Sequence, residues 1–322
     1  MRIVSLLPAA TEIVAALGLA DSLVGISHEC DYPAEISAKP RVTRCEIYGK
    51  GLPSAEVDEW VNRTRSASAA LYSLDEDVLR TLQPDVIITQ GLCDVCAIDY
   101  ASVIAVAESL RSRPRVISLS PASLSDIFED IGRVAEALDV RERGLDLLDG
   151  LTRRVDAVKR RAAQASSRPR CFIMEWIDPP FCAGHWNPEL VDRAGGQAVL
   201  GQPQSPSTRV TWEEIVAAQP EVVILACCGY DVERTTADLQ ILESNPFWRS
   251  LPAVRDRRAH LANGSAYFSR PGPRIVDSLE IVAQLLHPAL FAGWFPQREV
   301  LQVAPGRVAP SPALNERRTQ SR

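Results

Sequence analysis

The chain has 322 residues, enough for about two domains of ordinary size. Its 46% hydrophobic and 24% charged residues are those of a packed globular protein, and a net charge of −6 excludes the basic face that a nucleic-acid partner requires. No apolar run reaches the roughly 18 residues of a membrane-crossing helix.

The first predicted strand is Ile3–Leu7, preceded only by Met1 and Arg2. An apolar run this short, stopped by Pro8, lacks the longer apolar core and cleavage site of a secretory signal. The sequence as written therefore predicts a cytoplasmic location, and a periplasmic one only if the true start lies upstream. Ile13, Val14, Ala16 and Leu17 follow at helical spacing, with Gly18 as the left-handed cap. Leu23–Ser27 reads as a second strand, and strand–helix–strand order favours a parallel sheet. Val86–Thr89 and Arg115–Leu119 are further strands, with a helix over Tyr100–Arg111 between them.

From Ser125 the pattern turns helical. Ile127, Ile131, Val134 and Leu138 share one face, the phase breaks near Asp139-Val140, and Leu148, Leu151, Val155, Val158 and Ala162 resume it. A helix from Arg141 to Ala165 would be about 37 Å long, long enough to brace two lobes. A second α/β unit follows Pro169, with strands at Cys171–Glu175, Val222–Leu225 and Ala259–Leu261 and helices at Leu190–Ala194 and Ile275–Leu286. The tail from Val303, holding Pro305, Gly306, Pro310 and Pro312, is predicted to be disordered. The expected divisions are an N-terminal α/β lobe over 1–122, a helical linker over 123–168, a C-terminal α/β lobe over 169–290 and the tail over 291–322.

The halves echo each other. Asp77 and Glu213 each stand seven residues before a proline, in an acidic helix start that runs through Gln-Pro-acid into a strand: Gln83-Pro84-Asp85-Val86 and Gln219-Pro220-Glu221-Val222. This repeat predicts two lobes of related topology.

Ligand sites in open α/β sheets lie beyond the carboxyl ends of the strands. The loops that follow predicted strands contain Pro8, His28, Cys30, Tyr32, Cys93, Cys96, Trp176, Phe181, His185, Trp186, Cys228 and Tyr230, and Phe268 precedes the last helix. Aromatic faces with a few polar contacts hold large flat ligands, so Tyr32, Trp176, Phe181, Trp186, Tyr230 and Phe268, with Pro8, are the candidate ligand wall. His185 is a candidate ligand to a metal centre in the guest. Eight cysteines in a reducing compartment are not expected to form a disulfide framework. Cys93 and Cys96 have the spacing of a metal-binding or redox turn, which His28, Cys30 and Cys45 would complete, with Cys228 as a further thiol. Thiolates suit zinc, copper(I) or an iron–sulfur centre. Glu12, Asp31, Glu175 and Asp178 are possible acids.

Several segments together resemble the class III periplasmic binding proteins, which bind cobalamin, siderophores and haem, and most closely the cobalamin-binding branch. They are Ser5-Leu6-Leu7-Pro8-Ala9-Ala10-Thr11-Glu12, Val24-Gly25-Ile26-Ser27, Asp31-Tyr32-Pro33, Gln83-Pro84-Asp85-Val86-Ile87, Pro179-Pro180-Phe181, Ala183-Gly184, Ala194-Gly195-Gly196 and Pro273-Arg274-Ile275, spread from residue 1 to about 288. The resemblance implies two Rossmann-like α/β lobes joined by a single long backbone helix, a ligand cleft between them, and binding without turnover. It also implies cobalamin or a related metal chelate as the ligand. Asp77 and Glu213 match the carboxylates with which such proteins dock on the membrane subunits of ABC transporters. The Cys93/Cys96 pair and the missing export signal depart from the usual members. Two other readings therefore stay open: a cytosolic metal or iron–sulfur protein whose cysteines converge, and a small-molecule enzyme whose cleft thiol has a lowered pKa.

Overall fold

In the computed structural model, residues 1–67, 70–91, 100–295, 300–304 and 307–310 are described. Two main sheets organise them. The first is fully parallel, in the order β2 (Leu23–Ile26), β1 (Ile3–Ser5), β5 (Val86–Gln90) and β6 (Arg115–Leu119). Ile3, Val4 and Ser5 pair with Val86, Ile87 and Ile88, and helices cover the strands, which explains their nearly unbroken apolar sequence. Between the strands lie α1 (Pro8–Ala16), α2 (Ser54–Ser66), α3 (Glu76–Leu82) and α4 (Tyr100–Ser109). Pro8 occupies the first turn of α1, where its missing N–H costs nothing. A separate antiparallel pair, β3 (Thr43–Cys45) and β4 (Tyr72–Leu74), lies beside this sheet.

Two helices lead away from it. The Ser123 hydroxyl and the Asp126 carboxylate form a capping box that starts α5 (Leu124–Ala137). Asp139, with φ of 59°, turns the chain out of α5, which accounts for the break in periodicity. The next helix, α6 (Arg141–Ala162), has 22 residues, so it is about 33 Å long. It stops at Ala162 rather than the expected Ala165. Gly144 lets α6 touch α5, because a Cβ there would overlap the Cβ of Ala135.

The second sheet runs β10 (Thr208–Arg209), β8 (Phe181–Cys182), β7 (Arg170–Trp176), β11 (Val222–Leu225), β12 (Ala259–Ala262), β13 (Val300–Ala304) and β14 (Arg307–Pro310), with β9 (Gln197–Ala198) pairing on β7. The strands β7, β11 and β12 are parallel neighbours. Around them lie α7 (Asn187–Arg193), α8 (Trp212–Ala218), α9 (Val232–Ala237), α10 (Leu239–Ser244), α11 (Pro246–Ser250), α12 (Pro252–Arg255) and α13 (Ile275–Leu286). Two described stretches of the tail, 300–304 and 307–310, depart from expectation. Instead of disorder, β13 pairs antiparallel with β12 and β14 folds back on β13. Val300 and Val303 are buried there, so the segment carries enough apolar surface to cover the β12 edge. Residues 311–322 lie outside the described residues.

The repeat seen in the sequence is real in space. Asp75 caps α3 and Thr211 caps α8, and each helix ends on a left-handed glutamine, Gln83 (φ 42°) or Gln219 (φ 47°), before proline and strand. Asp77 and Glu213 are exposed in the two first turns. One apolar core links the sheets, running from Ile3 and Ile88 through Ile131, Val155 and Leu279 to Ile224. Arg154 of α6 ties α13 by bonds to Glu280 (2.9 and 2.8 Å) and Asp277 (2.5 Å). Glu189 of α7 accepts from the Leu124 N–H at 2.9 Å.

Candidate functional site

The loops at the carboxyl ends of the two sheets meet at two clamps. The first joins α1 and the β2 loop to the chain after β12. Asn263 caps a π turn over Gly264–Phe268, and Gly264 is required there because a Cβ would strike the Cys227 carbonyl. The turn delivers Arg270, whose side chain is 5% exposed. Its guanidinium donates to Glu12 Oε1 (3.1 Å), to both Asp31 oxygens (2.5 and 3.1 Å), to Ser265 Oγ (3.1 Å) and to the Glu29 carbonyl (3.4 Å). Arg274 gives Glu12 a second, two-point bond at 2.9 and 2.5 Å. Such forked pairs fix geometry as well as charge. Burial alone would lower the Arg270 pKa, but the bonds to Asp31 and Glu12 overcome it and hold the pKa above the usual arginine range. The Arg274 guanidinium lies over the Tyr32 ring, 4.0 Å from its centroid.

The second clamp grips the start of α2. Trp176 Nε1 donates to the Ser54 carbonyl (3.2 Å), the Ser54 N–H donates to Asp238 Oδ2 (3.3 Å), and Arg234 donates to the Leu52 carbonyl. The Trp176 and Tyr230 rings pack with centroids 4.8 Å apart at an interplanar angle of 47°, and Arg234 covers Tyr230 at 4.3 Å. Burial pushes the Tyr230 hydroxyl up to about 12, so it stays protonated.

Of the aromatic residues expected to line a cleft, Tyr32, Trp176 and Tyr230 stand at these clamps. Pro8, Phe181 and His185 are half-buried, and His185 is in the left-handed region (φ 53°), its pKa lowered by burial. Trp186 and Phe268 are core residues instead: both are buried, and the Trp186 indole donates to the Phe268 carbonyl at 3.0 Å. The sequence reading missed Arg270 and Arg274 as site residues. Their one signal is position, since both lie in the Pro/Gly-rich stretch between a strand end and the closing helix.

The described residues do not bring the expected cysteine cluster together. Among the described residues no group of three or more His, Cys, Asp or Glu side chains is placed to hold a metal ion. Cys30 points into the core, with its sulfur 3.1 Å from Thr11 Oγ1. Cys45 belongs to β3, and Cys228 follows β11 in the other sheet. Cys93 and Cys96 lie outside the described residues. Burial raises the thiol pKa of Cys30, Cys45, Cys171 and Cys227, the opposite of what a nucleophilic thiol needs.

His28 has a different setting. Its ring lies between Tyr48 (4.9 Å, edge-on) and Tyr72 (5.3 Å), and Nδ1 is 2.6 Å from Thr43 Oγ1. Burial, with a contribution from Arg41, lowers its pKa to about 4. Tyr72 donates to Glu29 at 3.3 Å, while burial raises the Glu29 pKa.

Two α/β lobes, braced by α6 and joined across facing aromatic and arginine-bearing loops, are the architecture of a two-lobed ligand-binding protein. The chain belongs to the family described as periplasmic binding protein, which it matches over residues 3–261. It is 23% identical over 300 residues to a vitamin B12-binding protein of Vibrio cholerae serotype O1, covering 88% of each chain. A vitamin B12-binding protein of Yersinia pestis is 22% identical over 286 residues, covering 88% of this chain and 85% of that one. Among solved structures, the periplasmic vitamin B12 binding protein of Vibrio cholerae superposes with a TM-score of 0.65 at 22% identity, covering 88% of this chain and 96% of that one. A periplasmic haem-binding protein from Pseudomonas aeruginosa gives 0.68 at 17% identity, covering 96% and 97%. These structures share the fold.

Proposed function

We propose that this chain binds cobalamin, or a related metal chelate such as haem, between its two lobes and releases it unchanged. The observation that carries the reading is the gathering of aromatic rings and arginines where the strand-end loops of the lobes meet: Tyr32 under Arg274, with Arg270 beside it, at one clamp, and Trp176 against Tyr230 at the other. This arrangement suits a large planar guest with polar substituents at its edge. Relatives whose names state vitamin B12 binding support the ligand class.

The test is titration of the purified protein with cyanocobalamin and with haem, followed by absorbance and calorimetry. Saturable 1:1 binding of either, with the guest recovered intact, is expected; binding of neither removes the proposal. In this reading Asp77 and Glu213, exposed on equivalent helix starts, are the carboxylates that meet arginines on the membrane subunits of an ABC transporter. Charge reversal at both should leave guest affinity unchanged and abolish capture by those subunits.

A further inference from the structure

The chain between β3 and β4 runs from residue 46 to residue 71. The last pairing of those strands is Cys45 with Tyr72, so a two-residue turn would have closed the same hairpin. Instead the chain builds α2 and docks its start on the other lobe. No side chain of α2 belongs to the three apolar cores formed by the described residues, and Ser54 is the one residue of this helix that is buried. We propose that residues 46–66 form a strap that occupies the second clamp while the cleft is empty, and that the guest displaces it to reach Trp176 and Tyr230. The inference rests on the proposed function and gives that site a competitor built into the chain.

Backbone groups of the strap make the docking. The Ser54 N–H donates to Asp238 Oδ2 at 3.3 Å, the Ser54 carbonyl accepts from Trp176 Nε1 at 3.2 Å, and the Leu52 carbonyl accepts from Arg234. Pro53 has no side-chain acceptor with which to start α2, so Asp238, 184 residues away, satisfies the helix start from the opposite lobe. Burial raises the Asp58 pKa and Arg209 lowers it, which lays the next turn of α2 near the second lobe as well. These contacts use what a guest would need. The indole N–H is the one donor that Trp176 has. Tyr230 is engaged by the Trp176 ring at 4.8 Å and by the Arg234 guanidinium at 4.3 Å.

Releasing the strap strands no charge. Arg234 and Asp238 pair with each other at 3.1 Å, one turn apart at α9, so that pair survives when the strap leaves. The freed N–H and the two freed carbonyls pass to water, which replaces most of what the bonds supplied. No apolar core resists the movement, since α2 contributes to none. Gly49 and Gly51 lead into the strap with φ of 74° and 64°, and a Cβ at either would meet nothing within 4 Å, so the lead-in has room to swing.

The experiment is hydrogen–deuterium exchange of the full chain with and without cyanocobalamin or haem, read on peptides that span α2. Guest binding should speed exchange across the start of α2 at least about tenfold, because undocking opens the turn that Asp238 holds. Ser54→Pro removes the N–H that reaches Asp238. Proline suits the first helical position after an extended residue, and Pro53 is extended at φ −54° and ψ 151°. This variant should therefore keep the helix, loosen the strap and tighten guest binding about fivefold, the weight of one such bond. Exchange that slows or stays the same on guest binding overturns the inference and leaves the proposed function standing, and so does Ser54→Pro affinity equal to or below that of the wild type. Failure of both guests to bind the wild-type chain overturns the proposed function and the inference together. Should Ser54→Pro not fold, the exchange of the wild-type chain decides: faster exchange with guest supports the strap, and unchanged or slower exchange overturns it.

Discussion

Replacing Arg270 with alanine is the most direct test of how the lobes are held together. The side chain is 5% exposed and makes contacts with Glu12, Asp31, Ser265 and the Glu29 carbonyl. Asp31 is 66% exposed, so its share of the pairing is worth less than about 1 kcal/mol. Glu12 is 2% exposed, and stranding a buried charge costs about 3–5 kcal/mol. Arg274 still holds both Glu12 oxygens, which places the loss near the lower end, about 3 kcal/mol. At about 2–4 °C per kcal/mol, the melting temperature should fall by about 6–12 °C. Glu12→Gln and the double variant, melted under the same conditions, complete a thermodynamic cycle. The double variant should be more stable than the sum of the single losses predicts, by about 1–3 kcal/mol, because the second change removes the charge that the first one strands. An Arg270→Ala loss below about 1 kcal/mol, or strict additivity, would refute the account of this clamp.

Three further outcomes are expected. Gly144→Ala forces a methyl group into Ala135 where α5 and α6 touch, and should cost about 1–3 kcal/mol in calorimetry while Gly150→Ala, which meets open space, costs nothing of that kind. Trp176→Phe keeps the ring over Tyr230 but loses the bond to the Ser54 carbonyl, and should destabilise by about 1 kcal/mol; Trp176→Ala also removes the ring and should weaken the guest at least about tenfold by calorimetry. His260 is buried in β12, and burial, with Arg258 nearby, lowers its pKa from 6.5 to about 3. The unfolded chain therefore binds the extra proton between those values, so this residue's stabilisation is complete above about pH 6.5 and is lost as pH falls toward 3, on the order of a few kcal/mol in total. NMR titration should find the His260 ring neutral at pH 5, and a ring protonated at that pH would contradict its burial.

What could be read from the sequence was local. Val222–Leu225 and Ile275–Leu286 announce themselves through unbroken apolar or helical periodicity, and both occur where expected. The paired helix starts at Asp77 and Glu213 were legible for the same reason, since cap, helix, left-handed glutamine and proline are all neighbours in the chain. The first clamp was not legible, because Arg270 and Glu12 are 258 residues apart and nothing local to either says which charge it will meet. The aromatic residues failed differently. Trp176 and Trp186 both follow strand ends, yet one indole donates to the opposite lobe and the other to the Phe268 carbonyl inside the core. Loop composition records that an aromatic is present and not the face it turns to. The tail misled because its prolines outweighed the short apolar alternation of Val300, Leu301 and Val303, which acquires meaning only beside the open edge of β12.

The contrast between the two sides of the molecule bears on how it works. On the helical side the lobes share a continuous apolar core through α5, α6 and α13, and separating them there would expose surface at about 25 cal/mol per Å². On the loop side they meet through ion pairs, carbonyl bonds and the Arg274 guanidinium over the Tyr32 ring. A mutation at Arg270 strands a buried carboxylate, but opening the lobes strands nothing: Glu12, Arg270 and Arg274 all become hydrated at once, and water replaces most of what the pairs supplied. The same bonds are thus costly to cut singly and inexpensive to release together. Under the proposed function that asymmetry would put the pivot at α6 and the mouth at the clamps, and a guest that entered between Tyr32 and Trp176 would compete with polar contacts that water already matches, and not with the core.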